Sequence, residues 1–481
     1  MKNNILNLAD SYKYSHANQY PANTVSMYDY MESRGGVYPA TVFVGLQYYI
    51  KQYLMSIPTQ EEVDKTRDRC QAHGVPFDYD GWSYIVQLGY LPIKIKAVDE
   101  GSLVLTKHVL MTIESTDPKV PWIAGFTETI LMKLWYPTTI ATKSYYAKQM
   151  LEKYGSPEWA QFAYHNFGDR GSSSVEAAAI GGFAHSTQFM GTDNFNSLDF
   201  CEEFYGAGIA ESYSVFATEH SSTTSYGRDN EEQFVYDQLL TNPDAPIMSF
   251  VADSYDVYAF TEFCTHPDSR IRKLIESRPN QKFVLRPDSG HPINVIKQML
   301  AIMVNNDCFD TDIEGKALST NFGILWGDGI TPHTIETILK TFTTYETIPA
   351  PDQTSTQPFA AENFVFGSGG DLMQNVNRDT QKFAIKCSSI TRRYDDPICK
   401  DGQSGYIYED IDVYKDPITD HGKASKKGKV TTWFDTETKE YIAGIVGKQP
   451  NMHCVEALSV VFENGKLLKE TTLAEIRNWG N

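Results

Sequence analysis

The stretch KFVLRPDSG (282–290) decides the fold, because an apolar run ends there in a cluster of charged and small residues. A helix-like segment, PINVIKQMLAIMV (292–304), follows it, and the next apolar run, FGILWGDG (322–329), ends in the same way. A short apolar run, a helical segment and another such run are typical of βα units on a parallel sheet. The centre of the chain therefore predicts an α/β fold.

The same alternation extends to both sides of this stretch. Further strands are predicted at FAYHNF (162–167), IMSFVAD (247–253) and NFVFGS (363–368), with weaker ones near 188–191 and 212–215. Helices are predicted between the strands at 173–185, 254–264 and 332–342. Seven or eight strands in this pattern favour a (β/α) barrel over an open sheet.

The two ends of the chain have a different pattern. Apolar and polar residues alternate as in antiparallel strands at 24–32, 91–98, 103–113, 406–414, 429–434 and 441–446. We expect these ends to meet in a second, sheet-rich α+β domain. The predicted organisation is 1–130 and 391–481 as the two parts of that domain, and 131–390 as the catalytic barrel.

The composition is that of a globular protein and excludes several classes of function. The 481 residues include 42 Lys and Arg against 61 Asp and Glu, a net charge of −19, which argues against a nucleic-acid or anionic membrane partner. The seven cysteines form no CxxC pair, so neither a disulfide framework nor a thiolate zinc site is predicted. The sequence shows neither an apolar leader nor a run of about 18 apolar residues, so we expect a cytoplasmic location.

Polar residues cluster where the predicted strands end. The clusters are HNFGDRG (165–171), GTD (191–193), AD (252–253), RPDSG (286–290), GDG (327–329) and GSGG (367–370). Loops after the strands build the active site in barrels and in open α/β sheets alike. A single cluster could be a helix cap, and Ser254 and Ser289 stand where N-caps belong. Six clusters in one chain favour a functional site.

Two of these clusters suit phosphate groups. Glycines 369 and 370 would let backbone N–H groups approach an anion, and Arg378 and Lys386 follow closely as countercharges. Arg286 could hold phosphate or pyrophosphate. The alternatives are an ordinary turn, a local ion pair and solvated surface charges.

Other residues suit a sugar and a transferable group. Asp288 and Asp328 could accept hydrogen bonds from ribose hydroxyls, which together with the phosphate donors suits a ribose phosphate. His220, beside Glu219, could be a nucleophile or an orienting donor, although a lone histidine is more often a packed or exposed structural residue.

Taken together, the motifs resemble the nicotinamide phosphoribosyltransferase family from about residue 8 to residue 479. The matching segments are ADSYK (9–13), FVGLQYY (43–49), NFGDRG (166–171), MGTD (190–193), YSV…EHS (213–221), ADSYD (252–256), RPDSG (286–290), WGDG (326–329), FGSGG (366–370), KDP (415–417) and SKKGK (425–429). Many segments in the same order make the resemblance specific.

The resemblance implies a type II phosphoribosyltransferase fold, with an irregular α/β barrel beside a sheet-rich domain. It implies a homodimer whose active sites are shared between subunits. The implied reaction joins nicotinamide to phosphoribosyl pyrophosphate, giving nicotinamide mononucleotide and pyrophosphate in NAD salvage. It uses Mg²⁺, for which no direct ligand is assigned, and ATP hydrolysis coupled through a phosphorylated histidine.

The resemblance also assigns roles to individual residues. Phe167 and Tyr12 of the partner subunit would sandwich the pyridine ring, and Asp193 would accept the carboxamide N–H with Arg170 and Ser214 nearby. The catalytic group would be His220, Asp288, Asp253 and Glu219, with His220 as the phosphorylated histidine. Ribose and phosphate would be held by Arg286, Asp288, Gly327, Asp328, Gly369, Gly370, Arg34, Arg378, Lys386, Lys415 and Lys423.

Two positions depart from the family pattern, and two other functions stay open. Asp169 replaces an aromatic residue of vertebrate members, which affects the pocket rim, and Asn166 replaces a common Asp. A nicotinate phosphoribosyltransferase would share the fold and chemistry, but the carboxylate of Asp193 would repel nicotinate. A non-catalytic binding protein is disfavoured by the full set of polar strand ends.

Overall fold

The computed structural model describes residues 4–278, 280–312, 314–344, 357–395, 405–420 and 423–478. The strands are β1 (Thr24–Ser33), β2 (Ala40–Val42), β3 (Ile93–Ala97), β4 (Leu103–Leu105), β5 (Val109–Ser115), β6 (Tyr164–Asn166), β7 (Phe216–Ala217), β8 (Ile247–Val251), β9 (Lys282–Arg286), β10 (Asp310–Thr311), β11 (Ala317–Leu318), β12 (Phe322–Trp326), β13 (Phe364–Ser368), β14 (Phe383–Asp395), β15 (Tyr406–Asp412), β16 (Val430–Asp435), β17 (Tyr441–Ile445), β18 (Cys454–Glu456), β19 (Ser459–Glu463) and β20 (Lys466–Leu467).

The α-helices connect and flank these strands. They are α1 (Leu46–Tyr49), α2 (Gln60–His73), α3 (Tyr79–Leu88), α4 (Ile123–Phe126), α5 (Glu128–Leu131), α6 (Trp135–Leu151), α7 (Pro157–Ala160), α8 (Val175–Ser186), α9 (Asn196–Tyr205), α10 (His220–Thr224), α11 (Glu231–Thr241), α12 (Val257–Thr265), α13 (Arg270–Glu276), α14 (Pro292–Asn305), α15 (Pro332–Thr343), α16 (Gly370–Gln374) and α17 (Leu473–Asn478). Within the described residues, no helix has both the length and the apolar character needed to cross a bilayer.

The chain divides into two compact units. One, the sheet unit, comprises Met1–Thr142, Phe200–Ala207 and Val376–Asn481, and the other, the barrel unit, comprises Lys143–Asp199 and Gly208–Asn375. The domain boundaries predicted after residues 130 and 390 stay predictions.

The barrel unit is built on a parallel sheet with the strand order β6-β13-β12-β9-β8-β7. Its central strand, β12, is buried at every residue, as expected for a parallel sheet with both faces covered. The five principal predicted strands are confirmed as β6, β8, β9, β12 and β13. The α/β class predicted from the alternation of strands and helices is therefore correct.

The weaker strands predicted near 188–191 and 212–215 are wrong. In their place, isolated parallel bridges join Asn166 to Thr192 and Gly191 to Tyr213, and the sheet ends at the short strand β7. A Cβ at Gly191 would lie 2.7 Å from His165 Nδ1, so this position excludes the larger side chains that favour strands. The bridges carry the sheet from β6 toward the segment before β7, and it curls into the predicted irregular barrel.

The predicted helices of the barrel unit are confirmed as α8, α12, α14 and α15, and α15 shows why they form. It buries Ile335, Ile338, Leu339 and Phe342, which repeat on one helical face. Thr331 caps its start by accepting a hydrogen bond from the Thr334 N–H, and Pro332 occupies the first turn. This cap fixes the chain where it leaves β12 and turns into the helix.

The sheet unit contains a seven-stranded sheet with the order β15-β14-β1-β5-β3-β19-β20. Strands from the two ends of the chain pair directly in it, since β1 runs antiparallel to both β14 and β5. The predicted meeting of the chain ends in a sheet-rich domain is therefore confirmed. The single strand predicted at 103–113 is two strands, β4 and β5, because Lys107 turns the chain between them with a φ of 66°.

Candidate active site

A cavity of about 910 Å³ lies at the carboxyl ends of the barrel strands, and the strand-exit loops form its walls. Cavities of this size bind small molecules and cofactors. The predicted residues that line it are Phe167, Arg170, Asp193, Glu219, His220, Arg286, Asp288, Gly327, Asp328, Gly369 and Gly370. Ser214 and Asp253 join this group through hydrogen bonds to Asp193 and His220.

Asp193 is held by two side chains from neighbouring segments. Its Oδ1 accepts hydrogen bonds from His165 Nε2 at 2.8 Å and from the Ser214 hydroxyl at 2.5 Å. Burial would raise the pKa of this carboxyl, but the two hydrogen bonds and the nearby charge of Arg286 lower it below its usual value. Asp193 therefore presents a carboxylate to the cavity, with Oδ2 available as an acceptor.

His165 is the residue that sequence reasoning missed. It is 8% exposed, lies on β6 two positions before Phe167, and its ring centroid is 4.9 Å from that of Phe167. The sequence held a signal for it, since residues two apart on a strand share a face. Gly191 completes the arrangement by leaving room for the ring, as its missing Cβ would lie 2.7 Å from Nδ1.

Phe167 directly follows β6 and packs closely against two glycines, Gly367 and Gly369. A Cβ at Gly367 would overlap its ring, and one at Gly369 would lie 3.1 Å from its carbonyl oxygen. Asn166, one of the two departures from the family pattern, is fully buried, and its Oδ1 accepts the Gly168 N–H at 2.8 Å. Asp169, the other departure, is exposed and lines the cavity, which agrees with a position at the rim.

Arg286 is the central cation of the site. Burial lowers the pKa of its guanidinium, and the carboxylates of Asp288, Asp193 and Asp253 oppose that effect. It also donates a hydrogen bond to the Thr218 carbonyl oxygen, which fixes one edge of the guanidinium. Asp288 has a raised pKa because it is partly buried and close to Asp253 and Asp328, although Arg286 and His220 lower it in part.

His220 lies at the first residue of α10 and is about half exposed. Its Nε2 is 3.1 Å from Oδ1 of Asp253, whose side chain is only 8% exposed. The Ser289 hydroxyl donates to the other oxygen of Asp253 at 2.5 Å. A buried carboxylate with two partners thus orients the imidazole, and Nδ1 has no hydrogen-bond partner among the described residues.

The helix caps expected at Ser254 and Ser289 are wrong. Asp256 caps α12 by accepting from the N–H groups of Tyr258 and Ala259, and His291 is the N-cap residue of α14. Ser289 instead bonds Asp253, and the buried Ser254 hydroxyl has no hydrogen-bond partner among the described residues. Both serines precede the caps by two residues, a shift that propensity alone does not resolve.

The charges that line the cavity are unbalanced. Among the described residues of its wall, the cations with a permanent charge are Arg170 and Arg286. The acidic residues are Asp169, Asp193, Glu219, Asp288, Asp328 and Asp371. The described chain also contains no group of three or more His, Cys, Asp or Glu side chains arranged to hold a metal ion. An anionic ligand bound here needs positive charge from outside this set.

The remaining predicted residues belong to the sheet unit: Tyr12, Arg34, Arg378, Lys386, Lys415 and Lys423. Tyr12 and Arg378 are exposed, and Arg378 pairs with the adjacent Asp379 at 3.3 Å. Both are therefore accessible to a second molecule.

Three further basic residues among them lie near an acidic side chain. Arg34 lies 3.4 Å from Glu32, Lys386 lies 3.5 Å from Glu128, and Lys423 lies 3.6 Å from Asp420. Lys415 is exposed, and its backbone N–H donates to Ser425. Their predicted roles in phosphate binding stay predictions.

Comparison with known families and proteins gives one consistent result. Residues 162–466 match the nicotinate phosphoribosyltransferase family, and residues 4–95 match the N-terminal domain of nicotinamide phosphoribosyltransferase. A nicotinamide phosphoribosyltransferase of Xanthomonas campestris pv. campestris is 40% identical, covering 98% of this chain and 97% of the relative. Another, from Acinetobacter baylyi, is 28% identical and covers 98% and 96%.

Solved structures share the fold at low sequence identity. Nicotinate-nucleotide pyrophosphorylase from Pyrococcus furiosus superposes with a TM-score of 0.57 at 13% identity, covering 98% of this chain and 93% of the other. Human nicotinic acid phosphoribosyltransferase gives a TM-score of 0.52 at 13% identity, covering 98% and 92%. At such identities the likeness establishes the fold alone.

Proposed function

Because this chain belongs to the nicotinate phosphoribosyltransferase family, we propose that it transfers the phosphoribosyl group of phosphoribosyl pyrophosphate to nicotinamide in the cytoplasm. The products are nicotinamide mononucleotide and pyrophosphate, and the reaction serves NAD salvage. The observation that carries the choice of nicotinamide is the carboxylate of Asp193, held at the cavity by His165 and Ser214. The two relatives named nicotinamide phosphoribosyltransferase also support the choice of nicotinamide.

Asp193 distinguishes an amide from an acid. The carboxamide of nicotinamide offers N–H donors, and a charge-assisted hydrogen bond to Oδ2 is worth roughly 1.5–3 kcal/mol. Nicotinate offers a second carboxylate, which the lowered pKa of Asp193 makes costly to place there. A nicotinate phosphoribosyltransferase, the nearest alternative, is disfavoured for this reason.

The chemistry requires little proton transfer. The pyridine nitrogen of nicotinamide is a neutral nucleophile, so the attack on the anomeric carbon needs no general base. Phe167 would orient the ring by stacking, and Asp193 would fix its rotation through the carboxamide. Arg286 would stabilise the charge of the departing pyrophosphate, while Asp288 and Asp328 would accept bonds from the ribose hydroxyls.

Mg²⁺ would enter with phosphoribosyl pyrophosphate. The raised pKa of Asp288, caused by burial and by Asp253 and Asp328, indicates a place where a divalent cation would relieve repulsion between carboxylates. Mg²⁺ is commonly held by one or two carboxylates together with substrate phosphates, which fits a cavity whose described residues form no complete protein ligand set. When bound, it would neutralise the charge that develops on pyrophosphate.

His220 would couple ATP hydrolysis to this reaction as a phosphorylated histidine. Its Nε2 faces Asp253 and its Nδ1 is available, which suits attack on the terminal phosphorus of ATP with release of ADP. Asp253 would stabilise the cationic imidazole that forms, and Glu219 lies beside it at the start of α10. Hydrolysis of the phosphohistidine would then return the enzyme to its starting state.

A His220→Ala variant tests the coupling. We expect it to lose acid-labile phosphorylation and most of the ATP stimulation, while ATP-independent synthesis of the mononucleotide continues. His266→Ala, which removes an exposed histidine elsewhere in the barrel unit, is the matched control. An undiminished response to ATP in His220→Ala would contradict the phosphohistidine proposal.

We further propose that the enzyme is a homodimer with shared active sites. The excess of acidic residues on the cavity wall leaves phosphoribosyl pyrophosphate short of cationic partners. Exposed basic residues of the sheet unit, among them Arg378, Lys415 and Lys423, would supply them from the second subunit. Tyr12 of the partner subunit would complete the aromatic sandwich with Phe167.

The decisive experiment compares two substrates. The purified protein is incubated with phosphoribosyl pyrophosphate, Mg²⁺ and either nicotinamide or nicotinate, with and without ATP, and the mononucleotide is identified by mass. We expect nicotinamide mononucleotide in large excess. Production of nicotinate mononucleotide instead would support the alternative enzyme, and no product from either base would support a non-catalytic binding protein.

A further inference from the structure

A largely buried ion pair joins α6 to the start of α16, directly after the glycine loop of Gly369 and Gly370. Lys143, on α6, donates from Nζ to Asp371 Oδ2 at 2.5 Å and to the Asp371 carbonyl oxygen at 2.7 Å. The two side chains are 8% and 13% exposed. Asn375 Nδ2 donates to the remaining oxygen, Oδ1, at 2.8 Å. All three oxygen atoms of Asp371 are thus occupied.

The position of Asp371 places this ion pair at the candidate active site. It follows Gly369 and Gly370 immediately and lines the same cavity. A Cβ at Gly370 would meet no atom of the described residues within 4 Å, so the backbone there borders open space that an anion could enter. A carboxylate at such a place would repel phosphate, and low exposure weakens the screening of that repulsion by salt.

We propose that Lys143 is a positioning residue for phosphoribosyl pyrophosphate, which cancels the charge of Asp371 and holds its peptide so that the glycine loop can accept a phosphate group. The inference rests on the proposed function, because it assigns the ligand of the loop. Lys143 acts through Asp371, since the contacts of its Nζ are to that residue.

The two members of the pair have opposite expected effects. Burial lowers the pKa of Lys143, and the hydrogen bond and charge of Asp371 oppose that effect, so the lysine relies on the carboxylate to stay charged. Removing the lysine alone leaves an uncompensated carboxylate beside the bound phosphate. Removing the carboxylate charge alone leaves a lysine that, whether neutral or cationic, does not repel an anion.

Three variants separate this role from a merely structural one: Lys143→Met, Asp371→Asn and the double substitution. For Lys143→Met we expect the KM for phosphoribosyl pyrophosphate to rise about tenfold or more, with the KM for nicotinamide changed less than about twofold. Asp371→Asn should leave the KM for phosphoribosyl pyrophosphate equal to or below that of the wild type. In the double variant it should return to within about threefold of the wild type.

The comparison of the double variant with Asp371→Asn keeps the test decisive if Lys143→Met fails to fold. A large rise in the KM for phosphoribosyl pyrophosphate between these two would overturn the proposal, because the lysine would then matter without a carboxylate to neutralise. Equal rises in both KM values for Lys143→Met would also overturn it. Failure of the proposed function is distinct, since the wild-type protein would then form no nicotinamide mononucleotide. Calorimetric titration with pyrophosphate gives a second readout. The affinities of the variants for pyrophosphate should follow the same order as their KM values for phosphoribosyl pyrophosphate.

Discussion

The charge of Asp193 is set by neighbours from three different segments of the barrel. His165 comes from β6, Ser214 from the segment before β7, and Arg286 from the end of β9, and each lowers the pKa of the Asp193 carboxyl against the effect of burial. A residue in this setting is an acceptor at neutral pH. The sequence predicted its chemistry, but only the fold brings its partners together.

Replacing Asp193 with Ser tests that role. The serine cannot hold a negative charge, so kcat/KM with nicotinamide should fall by about tenfold or more, and the ratio of nicotinate to nicotinamide turnover should rise. Steady-state kinetics with both bases measure the change. Asp199→Ser, at an exposed aspartate on α9, is the matched control and should leave the preference as it is. If a folded Asp193→Ser protein keeps the wild-type preference for nicotinamide over nicotinate, Asp193 does not set that preference, and nicotinate phosphoribosyltransferase would again be a candidate function.

Glu231 gives a prediction about stability and pH. It is 7% exposed, its Oε1 has no hydrogen-bond partner among the described residues, and burial together with Asp256 and Asp253 raises the pKa of its carboxyl to about 7, with Arg228 opposing. Between the ordinary value of 4.5 and about 7, the folded state binds more protons than the unfolded state. The free energy of unfolding therefore falls as pH rises through that window.

Glu231→Gln removes the titration. The variant should be more stable than the wild type by a few degrees at about pH 8, and the two should approach each other near pH 5. Thermal unfolding at both pH values measures this. Glu232→Gln, at the next residue and half exposed, serves as the control. A Glu231→Gln protein that loses the same stability at every pH would show that the carboxyl is needed in its charged form.

At the scale of elements, the exits of neighbouring strands depend on each other. Gly367 on β13 has no side chain, and the ring of Phe167 at the exit of β6 occupies the space a Cβ would take. Two adjacent parallel strands, β13 and β6, thus fix the stacking surface jointly.

Gly367→Ala should displace the Phe167 ring. We expect the KM for nicotinamide to rise roughly 2- to 10-fold, the worth of an aromatic stacking contact, with little change in the KM for phosphoribosyl pyrophosphate. Gly323→Ala on the neighbouring strand β12 is the control, because its Cβ would meet the flexible end of Lys282 at 3.1 Å. Equal effects of both substitutions on the KM for nicotinamide would mean that the change comes from a general disturbance of the barrel and not from displacement of the Phe167 ring.

The elements were predictable where their patterns were long. Strands such as β9 and helices such as α15 combine apolar runs with clear ends, and the structure confirms both. The segments near 188–191 and 212–215 are too short to show a period, and they form single bridges. His165 was missed because its importance comes from Asp193, which lies 28 residues later in the chain. Contacts between the exits of different strands can be predicted only when the register of the sheet is known.

At the scale of the whole molecule, the charge of the chain opposes its proposed substrate. The net charge of −19 repels phosphoribosyl pyrophosphate at long range, and two arginines face six acidic residues on the described cavity wall. A single subunit therefore offers a poor site for a polyanion. Mg²⁺ and the basic residues of a second subunit would together reverse the local potential.

Complementation between two inactive variants tests the shared site. If Arg378 of the partner subunit serves the site that holds Asp288, a mixture of Arg378→Ala and Asp288→Ala proteins has one intact site in each heterodimer. After subunit exchange at equal concentrations, activity should recover to about a quarter of the wild-type value, because half of the dimers are mixed and half of their sites are intact. The control mixes Asp288→Ala with Asp328→Ala; these residues line one cavity of the same chain, so every site keeps a defect. Heterodimers that form, as shown by native mass spectrometry, yet recover no activity in the first mixture would exclude Arg378 as a cross-subunit residue, and recovery in both mixtures would mean that the assay reports something other than a shared site.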